Sequence, residues 1–490
     1  MLLDFSFITS LANMSPEQIL FAVLYYGGWI PLAIVFLWGM KEFWKDYING
    51  QWLSEQKFIF LAIDIPRGNE VSLRSVENMF TYFAGAHGSH NLIDTYWIGA
   101  IQLGFSFEIV SIDGYTQFLI RTPASFRNLV ESAVYSTYPD AEITEINDYT
   151  ENIPSKFPDS DYDIWGTEFM PVKSDAYPFK TYPQFYDQTS RAEMVFKDPL
   201  ASLLDLYSSM RPGEQMWMQI LLTPTDYTWN IIGEDEVKKI MKEKTSAPKE
   251  NPLEFVLSIF ITAITEIFGA LTEALGFGAA SSEEAGDPLT MIQLKPREKK
   301  QVEAIQEKMS KNGFKSKIRM IYVAKKDIIN KAKAVNGFVG YMKQFVDSDL
   351  NSFKPDMDKT ATSTAYFFKD YRLNERKNKL MRAYKARDSF VGRTPKIFST
   401  EELATLWHFP FEATVRAPLI QKVSGKRSEP PMSLPFDMDT PSTPRNIPEE
   451  ASSNIFQNEV VSHGTGNALP KKKEDTDKNT NEAPSNLPFI

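Results

Sequence analysis

Between residues 58 and 146 the apolar residues follow two different periods, and the order in which those periods alternate leaves few folds open. Residues 58–65 read as a buried strand ended by Pro66, after which Val76, Met79, Phe80 and Phe83 recur at helical spacing. Two alternating runs follow. Phe105, Phe107 and Ile109 share one face, Tyr115, Gln117 and Leu119 alternate with Thr116, Phe118 and Ile120, and Asp113-Gly114 between them supplies the positive φ angles of a tight hairpin turn. Thr122 is placed to cap a helix with Pro123 at its first position, and Phe126, Leu129, Val130, Ala133 and Val134 give that helix an apolar stripe. A last short strand fits residues 141–146. Strand, helix, strand, strand, helix, strand is the ferredoxin-like split unit, here over residues 57–150.

A second unit is expected over residues 160–346. Residues 163–171 and 215–222 read as strands, and Asp198 caps a helix with Leu203, Leu204 and Tyr207 on one face. Residues 296–312 resume as a helix with Val302, Ile305 and Met309 inward and Gly313 as its stop, residues 314–324 form a strand, and residues 328–345 add a helix. An insertion at 225–295 interrupts this unit. Its apolar segment 253–277 carries Glu266 and Glu273, and a charge near mid-bilayer costs at least ~2.5 kcal/mol, so an amphipathic helix on a membrane or partner is preferred to a core helix, and both to a span. Between the units, residues 140–163 hold eight carboxylates against Lys156 alone and read as a linker or edge.

Ahead of both units, residues 19–40 carry no charge and are long enough for a transmembrane helix. No Lys or Arg precedes Lys41, whereas Lys41, Lys45 and Lys57 follow, so the expectation is an uncleaved single-pass anchor in the cell membrane. Residues 1–18 would lie outside and the main body in the cytoplasm. The absence of cysteine excludes thiol catalysis, disulfides and cysteine-ligated metals. His87 and His90 form a lone His-x-x-His in a Gly-rich loop, where a surface loop outweighs a metal site. No phosphate loop forms around Gly425-Lys426, no Gly-x-Ser-x-Gly elbow or His-Glu-x-x-His helix is present, and no cofactor, metal or catalytic residue is assigned. The sequence reads as non-enzymatic.

Residues 347–435 combine a basic segment with a closing helix. Residues 369–396 hold ten Lys or Arg interleaved with Tyr371, Tyr384 and Phe390, and Arg372, Arg376, Lys377, Lys379, Arg382, Lys385 and Arg387 are the candidates for contact with phosphate or lipid headgroups. An amphipathic solvated element is the plainer reading of that run. Ser399 opens a capping box closed by Glu402, after which Leu403, Leu406 and Trp407 share a helical face. Residues 436–490 are proline-rich with few apolar residues, which predicts a disordered tail.

The stretch from Ser399 to Pro410, read with Val415-Arg416-Ala417-Pro418, Glu429-Pro430-Pro431 and Leu434-Pro435, resembles the segment just before the motor domain of membrane-anchored type IV secretion or conjugation-type DNA-translocating ATPases of the HerA/FtsK-like family. Residues 107–112 and 118–131 resemble the amino-terminal region of the same proteins, so the likeness spans roughly residues 19–435. The family's nucleotide-binding domain would begin near residue 440, where this chain has its tail. The resemblance therefore implies a non-catalytic scaffold or accessory subunit that docks a separate ATPase. Leu403, Leu406, Trp407, His408, Phe409, Arg416 and Pro418 are its candidate docking residues, equally readable as a domain-closing helix packed on its own core. The partners implied are the lipid bilayer, the motor ATPase and further copies of the chain; a nucleic-acid-binding module built on residues 369–396 is the alternative. The expected fold class is α+β, with the transmembrane helix, two ferredoxin-like units and the disordered tail in that order.

Overall fold

Helix α1 (Trp29–Glu55) leads into β1 (Phe58–Asp64) and then α2 (Leu73–Ala84), whose Val76, Met79, Phe80 and Phe83 are buried as their spacing predicts. The computed structural model describes residues 29–65, 71–187, 195–242 and 294–410, with Ser15 and Tyr25. Strands β2 (Phe105–Ile112) and β3 (Tyr115–Pro123) form a hairpin through Asp113 at φ 55° and Gly114 at φ 88°, followed by α3 (Arg127–Thr137) and β4 (Glu142–Ile146). Thr122 and Pro123 do not open the helix. Both belong to β3, because β1 pairs with that strand as far as Phe58 opposite Pro123.

The chain continues through β5 (Tyr162–Pro171), the short pair β6 (Tyr186–Asp187) and β7 (Val195–Phe196), α4 (Leu200–Ser208), β8 (Glu214–Pro224) and α5 (Asn230–Ile240). After residue 294 it adds α6 (Pro296–Met309), β9 (Gly313–Lys325), α7 (Lys331–Lys343), β10 (Phe353–Pro355), α8 (Lys369–Ala386), β11 (Lys396–Ser399) and α9 (Thr400–Leu406). Nine strands form one antiparallel sheet in the order β10-β5-β9-β8-β2-β3-β1-β4, with β11 also paired to β9. Read outward from the β8–β2 junction, each half runs second, third, first and fourth strand. The junction itself pairs β2 with β8 from Phe105 opposite Leu222 to Ile112 opposite Gln215.

The fold class is α+β, and both faces of the sheet are covered. One face carries the larger core, in which Phe107, Ile109, Phe118, Met218, Ile220 and Ile318 meet residues of α2, α3, α4, α7 and α9. The other carries a smaller core, in which Val110, Leu119, Ile164, Trp217 and Ile321 meet Leu380, Met381 and Tyr384 of α8.

The transmembrane helix expected over residues 19–40 is corrected: no helix of the described residues is long and apolar enough to cross a membrane. Helix α1 does not stop at Met40. It runs on through Lys41, Glu42, Lys45 and Asp46 and is tied to the body, where Trp44 Nε1 donates to the Tyr96 carbonyl at 2.9 Å and Ile48 is buried. The single-pass reading loses its structural basis with that span. Most of residues 19–28, the segment 253–277 and the tail 436–490 lie outside the described residues.

Candidate functional site

On the α8 face, Glu108, Gln219, Arg319 and Glu168 stand directly opposite one another on β2, β8, β9 and β5, a row of polar side chains across four adjacent strands. Alternation puts them there: Glu108, Gln219 and Arg319 each lie between two residues of the larger core, and Glu168 lies next to Phe169 of it. All four are buried. Isolated charges at such depth would be prohibitive, and the row is stable because each member has a partner. Arg319 Nε donates to Glu168 at 2.9 Å, and its two terminal nitrogens donate to the carbonyls of Ala383 (3.1 Å) and Val391 (2.7 Å). Glu108 accepts from Ser106 at 2.6 Å, Tyr149 at 2.7 Å, Gln219 at 3.0 Å and Arg387 at 3.1 Å.

Burial pushes the Glu108 carboxyl up, but the Arg387 charge and the hydrogen bonds from Arg387, Ser106 and Tyr149 outweigh it and hold the group below the ordinary carboxylate range. Asp148 is held down in the same balance by Arg387 and Thr150. Arg121, in the same neighbourhood, is brought down to about 10 by burial and by the Arg387 charge. On the Glu168 side, burial and Arg319 bring Lys317 down to about 8 against the upward pull of Glu168. Lys317 donates to the carbonyls of Ser389 (2.7 Å) and Val391 (2.9 Å), so the turn after α8 is stitched to the sheet. Gly392, at φ +105°, lies against Glu168: a Cβ there would sit 2.3 Å from Oε1.

The seven basic candidates divide sharply. Lys377 is buried against Asp163, and Arg387 against Glu108 and Asp148. Arg376 donates to the carbonyls of Asp358, Ala361 and Ser363, and Lys385 to that of Ile153. Lys377 and Arg387 are internal fasteners, which corrects their assignment as phosphate or lipid contacts, whereas Arg376 and Lys385 are half-buried and tie neighbouring segments together. Arg372, Lys379 and Arg382 face solvent. Their spacing of seven and three residues puts them on one side of α8.

Of the two readings of residues 403–409, the domain-closing helix packed on its own core is the one their burial matches. Leu403, Leu406, Trp407, His408 and Phe409 are all buried. Trp407 lies 5.0 Å from the ring of Phe107, 5.4 Å from Phe409 and 5.8 Å from Phe118, and His408 Nε2 is 3.1 Å from Asp198 Oδ1. The capping box Ser399–Glu402 starts α9 in the orientation that buries this face, with Ser399 N–H donating to Glu402 Oε2 at 2.8 Å. Arg416 and Pro418 lie outside the described residues. His87 and His90 are exposed, and among the described residues no group of three or more metal-ligating side chains is drawn together.

Two exposed surfaces were missed by sequence reasoning. Along α1, Trp29, Val35, Phe36, Leu37, Phe43 and Tyr47 are exposed, and beside the helix the π-helical turn Asp94–Ile98 exposes Trp97 and Ile98 next to Leu92 and Ile93. Gly99, at φ +77°, lets that turn come against the α1 backbone at Ile48. The signal was the density of aromatic and aliphatic residues in 92–98, a stretch with no clear period. The second surface is Tyr366-Phe367-Phe368 ahead of α8, each more than four-fifths exposed, with Tyr366 and Phe368 at positive φ.

Residues 90–417 match the model of a family described as a domain of unknown function, DUF8128, and the chain belongs to that family. No curated protein matches the sequence. The family match carries no function, and the comparisons lend no support to the type IV secretion assignment.

Proposed function

We propose that the chain is a non-catalytic scaffold or accessory subunit that docks a separate motor ATPase. The observation that carries this reading is the apolar surface formed by α1 and the Asp94–Ile98 turn, which a monomer in water has no reason to keep. It is held firmly, because the Trp44–Tyr96 hydrogen bond and the Ile48–Gly99 contact fix helix and turn to each other. The partner's identity rests on the motif resemblance in residues 107–131 and 399–435. The test is affinity capture of the tagged full-length chain from cells that make it, beside a variant carrying Phe36→Glu, Phe43→Glu and Trp97→Glu. A Walker-type ATPase recovered with the first and lost with the second is expected; its absence from both, or equal recovery, rejects the reading.

A second reading is favoured by Arg372, Lys379 and Arg382, solvent-facing cations on one side of α8 that fit contact with a nucleic-acid backbone. Binding that falls steeply with salt and is abolished by Arg372→Glu with Lys379→Glu and Arg382→Glu is its expected signature. Unchanged weak binding in that variant removes it.

A further inference from the structure

A cleft of about 460 Å³ opens where the first half of α7, the segment 362–364 and the first turn of α8 meet beside Trp165 of β5. The sheet creates it. Strand β5 is paired by β10 only over residues 169–171, and nearer its start the edge is closed by a loop instead, with Gly166 N–H donating to Thr362 Oγ1 at 2.9 Å and Thr362 N–H to the Gly166 carbonyl at 3.0 Å. Beyond that loop the edge falls away between two helices. Its volume lies in the range of small-molecule sites, and its open form suits a ligand held by one side.

The charge of the cleft is one-sided. No lining side chain is acidic, while Lys331 and Lys369 both line it with the hydroxyl of Ser363 and the amide of Asn336. The nearby carboxylate of Asp163 is already shared: it accepts from Lys331 at 2.9 Å and from Lys377. Arg376 directly behind the segment gives its donors to the carbonyls of Asp358 (2.8 Å), Ala361 (3.3 Å) and Ser363 (2.5 Å), neutral groups that leave its charge in place. Two cations thus share the one carboxylate of Asp163, and Lys369 adds a further positive charge to the lining. Trp165, with Val335 and Leu373 one helical turn beyond Lys331 and Lys369, supplies the apolar part of the lining. Phe368 caps α8 in the left-handed region with no side-chain hydrogen bond, a strained entry of the kind found at ligand clamps.

We propose that this cleft binds a phosphate ester, its oxygens held by Lys331, Lys369, Ser363 and Asn336 and its organic part laid against Trp165 and Leu373. A free phosphorylated small molecule and a phospholipid headgroup share that chemistry. The inference is independent of the docking role of α1 and uses none of Arg372, Lys379 and Arg382.

The full-length chain is titrated with inorganic phosphate, with adenosine monophosphate, and with phosphatidylcholine vesicles containing phosphatidic acid, by calorimetry and by vesicle flotation. Saturable binding of the monophosphate, tighter than that of inorganic phosphate, is expected. Lys331→Gln with Lys369→Gln should weaken it at least tenfold, and Trp165→Leu should weaken the monophosphate without changing inorganic phosphate. Vesicle capture that the double lysine variant abolishes, with no binding of the free monophosphate, assigns the site to headgroups. Circular dichroism matching the parent establishes that each variant is folded, and these substitutions replace side chains exposed or half-exposed at the cleft. The proposal is overturned if none of the three probes binds, if the double lysine variant binds as the parent does, or if Arg372→Glu with Lys379→Glu and Arg382→Glu abolishes binding while the lysine variant retains it.

Discussion

Replacing Arg387 by methionine tests whether the buried row on the α8 face is held by paired charges. Its guanidinium is 1% exposed and bridges Glu108, which is fully buried, to Asp148. Methionine keeps most of the side chain's volume but leaves Glu108 with only Ser106, Tyr149 and Gln219 as donors. Removing one member of a buried pair costs about 3–5 kcal/mol, because the other charge stays behind without compensation. Arg121 competes for the same carboxylates and can take up part of the loss, which places the expected cost at about 3 kcal/mol. Glu108→Gln should cost less, about 1–3 kcal/mol, since Arg387 keeps its bond to Asp148 at 3.0 Å. In the double variant the two losses should overlap by more than about 1 kcal/mol. Urea unfolding followed by far-UV circular dichroism measures all three.

The pH dependence supplies the sign. In the parent, Glu108 is held below its unfolded value, so its contribution is complete above about pH 4.3 and is lost as pH falls through the lower folded value. In Arg387→Met, burial dominates and the carboxyl titrates above its unfolded value, so protonation relieves the variant as pH drops. The stability gap between parent and variant should therefore narrow from pH 7 to pH 5. A gap under 1 kcal/mol at pH 7, or strict additivity in the double variant, refutes the electrostatic account of this row.

Lys317 is pulled to about 8 in the folded chain, whereas an unfolded lysine titrates near ~10.4, so the unfolded state binds more protons between those values and stability should rise with pH across that window. Lys317→Met should abolish the rise, and an unchanged slope between pH 8 and pH 10 would contradict the assignment. Gly392→Ala forces a methyl group to within 2.3 Å of Glu168 Oε1 at φ +105°, and should cost about 1–3 kcal/mol in urea unfolding; a neutral result would mean the turn after α8 can move. Trp407→Ala should cost about 3–5 kcal/mol, for it removes a wholly buried indole from the centre of Phe80, Phe107, Phe118 and Phe409, and a loss below 1 kcal/mol would place that side chain outside the core.

The strands and helices of residues 58–146 were legible because alternation and the Asp113-Gly114 turn are local signals, and the structure uses both as the pattern indicates. The strands around 163–171, 215–222 and 314–324 were legible for the same reason. What covers the sheet was not. Glu108, Gln219, Arg319 and Glu168 occupy alternate positions, and a polar residue at such a position reads as facing water; only the distant α8 converts that face into an interior. Helix α8 was misleading in the complementary way. Its Lys377 and the following Arg387 look like part of a solvated basic run, and their carboxylate partners lie more than 200 residues earlier in the chain. Long-range charge pairing leaves no periodic trace in either segment, so the sequence could not separate the buried Lys377 and Arg387 from their exposed neighbours.

The pairing of β2 with β8 also decides whether the two halves of the sheet can exist apart. Seven of the eight residues of β2 are buried, and the strand carries neither proline nor lysine. As an edge it would offer unpaired backbone groups between apolar side chains, the arrangement that recruits other chains. The true outer edges are built differently: β4 is five residues long with Glu142 and Glu145 on it, and β10 is three residues long and ends on Pro355. Edge protection has been placed on the outside and omitted at the junction, so the halves are mutual caps. Residues 57–150 expressed alone should consequently self-associate at micromolar concentration through β2, as read by sedimentation velocity. A folded, monomeric fragment would show that β2 tolerates solvent and that its pairing with β8 is an accessory contact instead of the seam on which the fold depends.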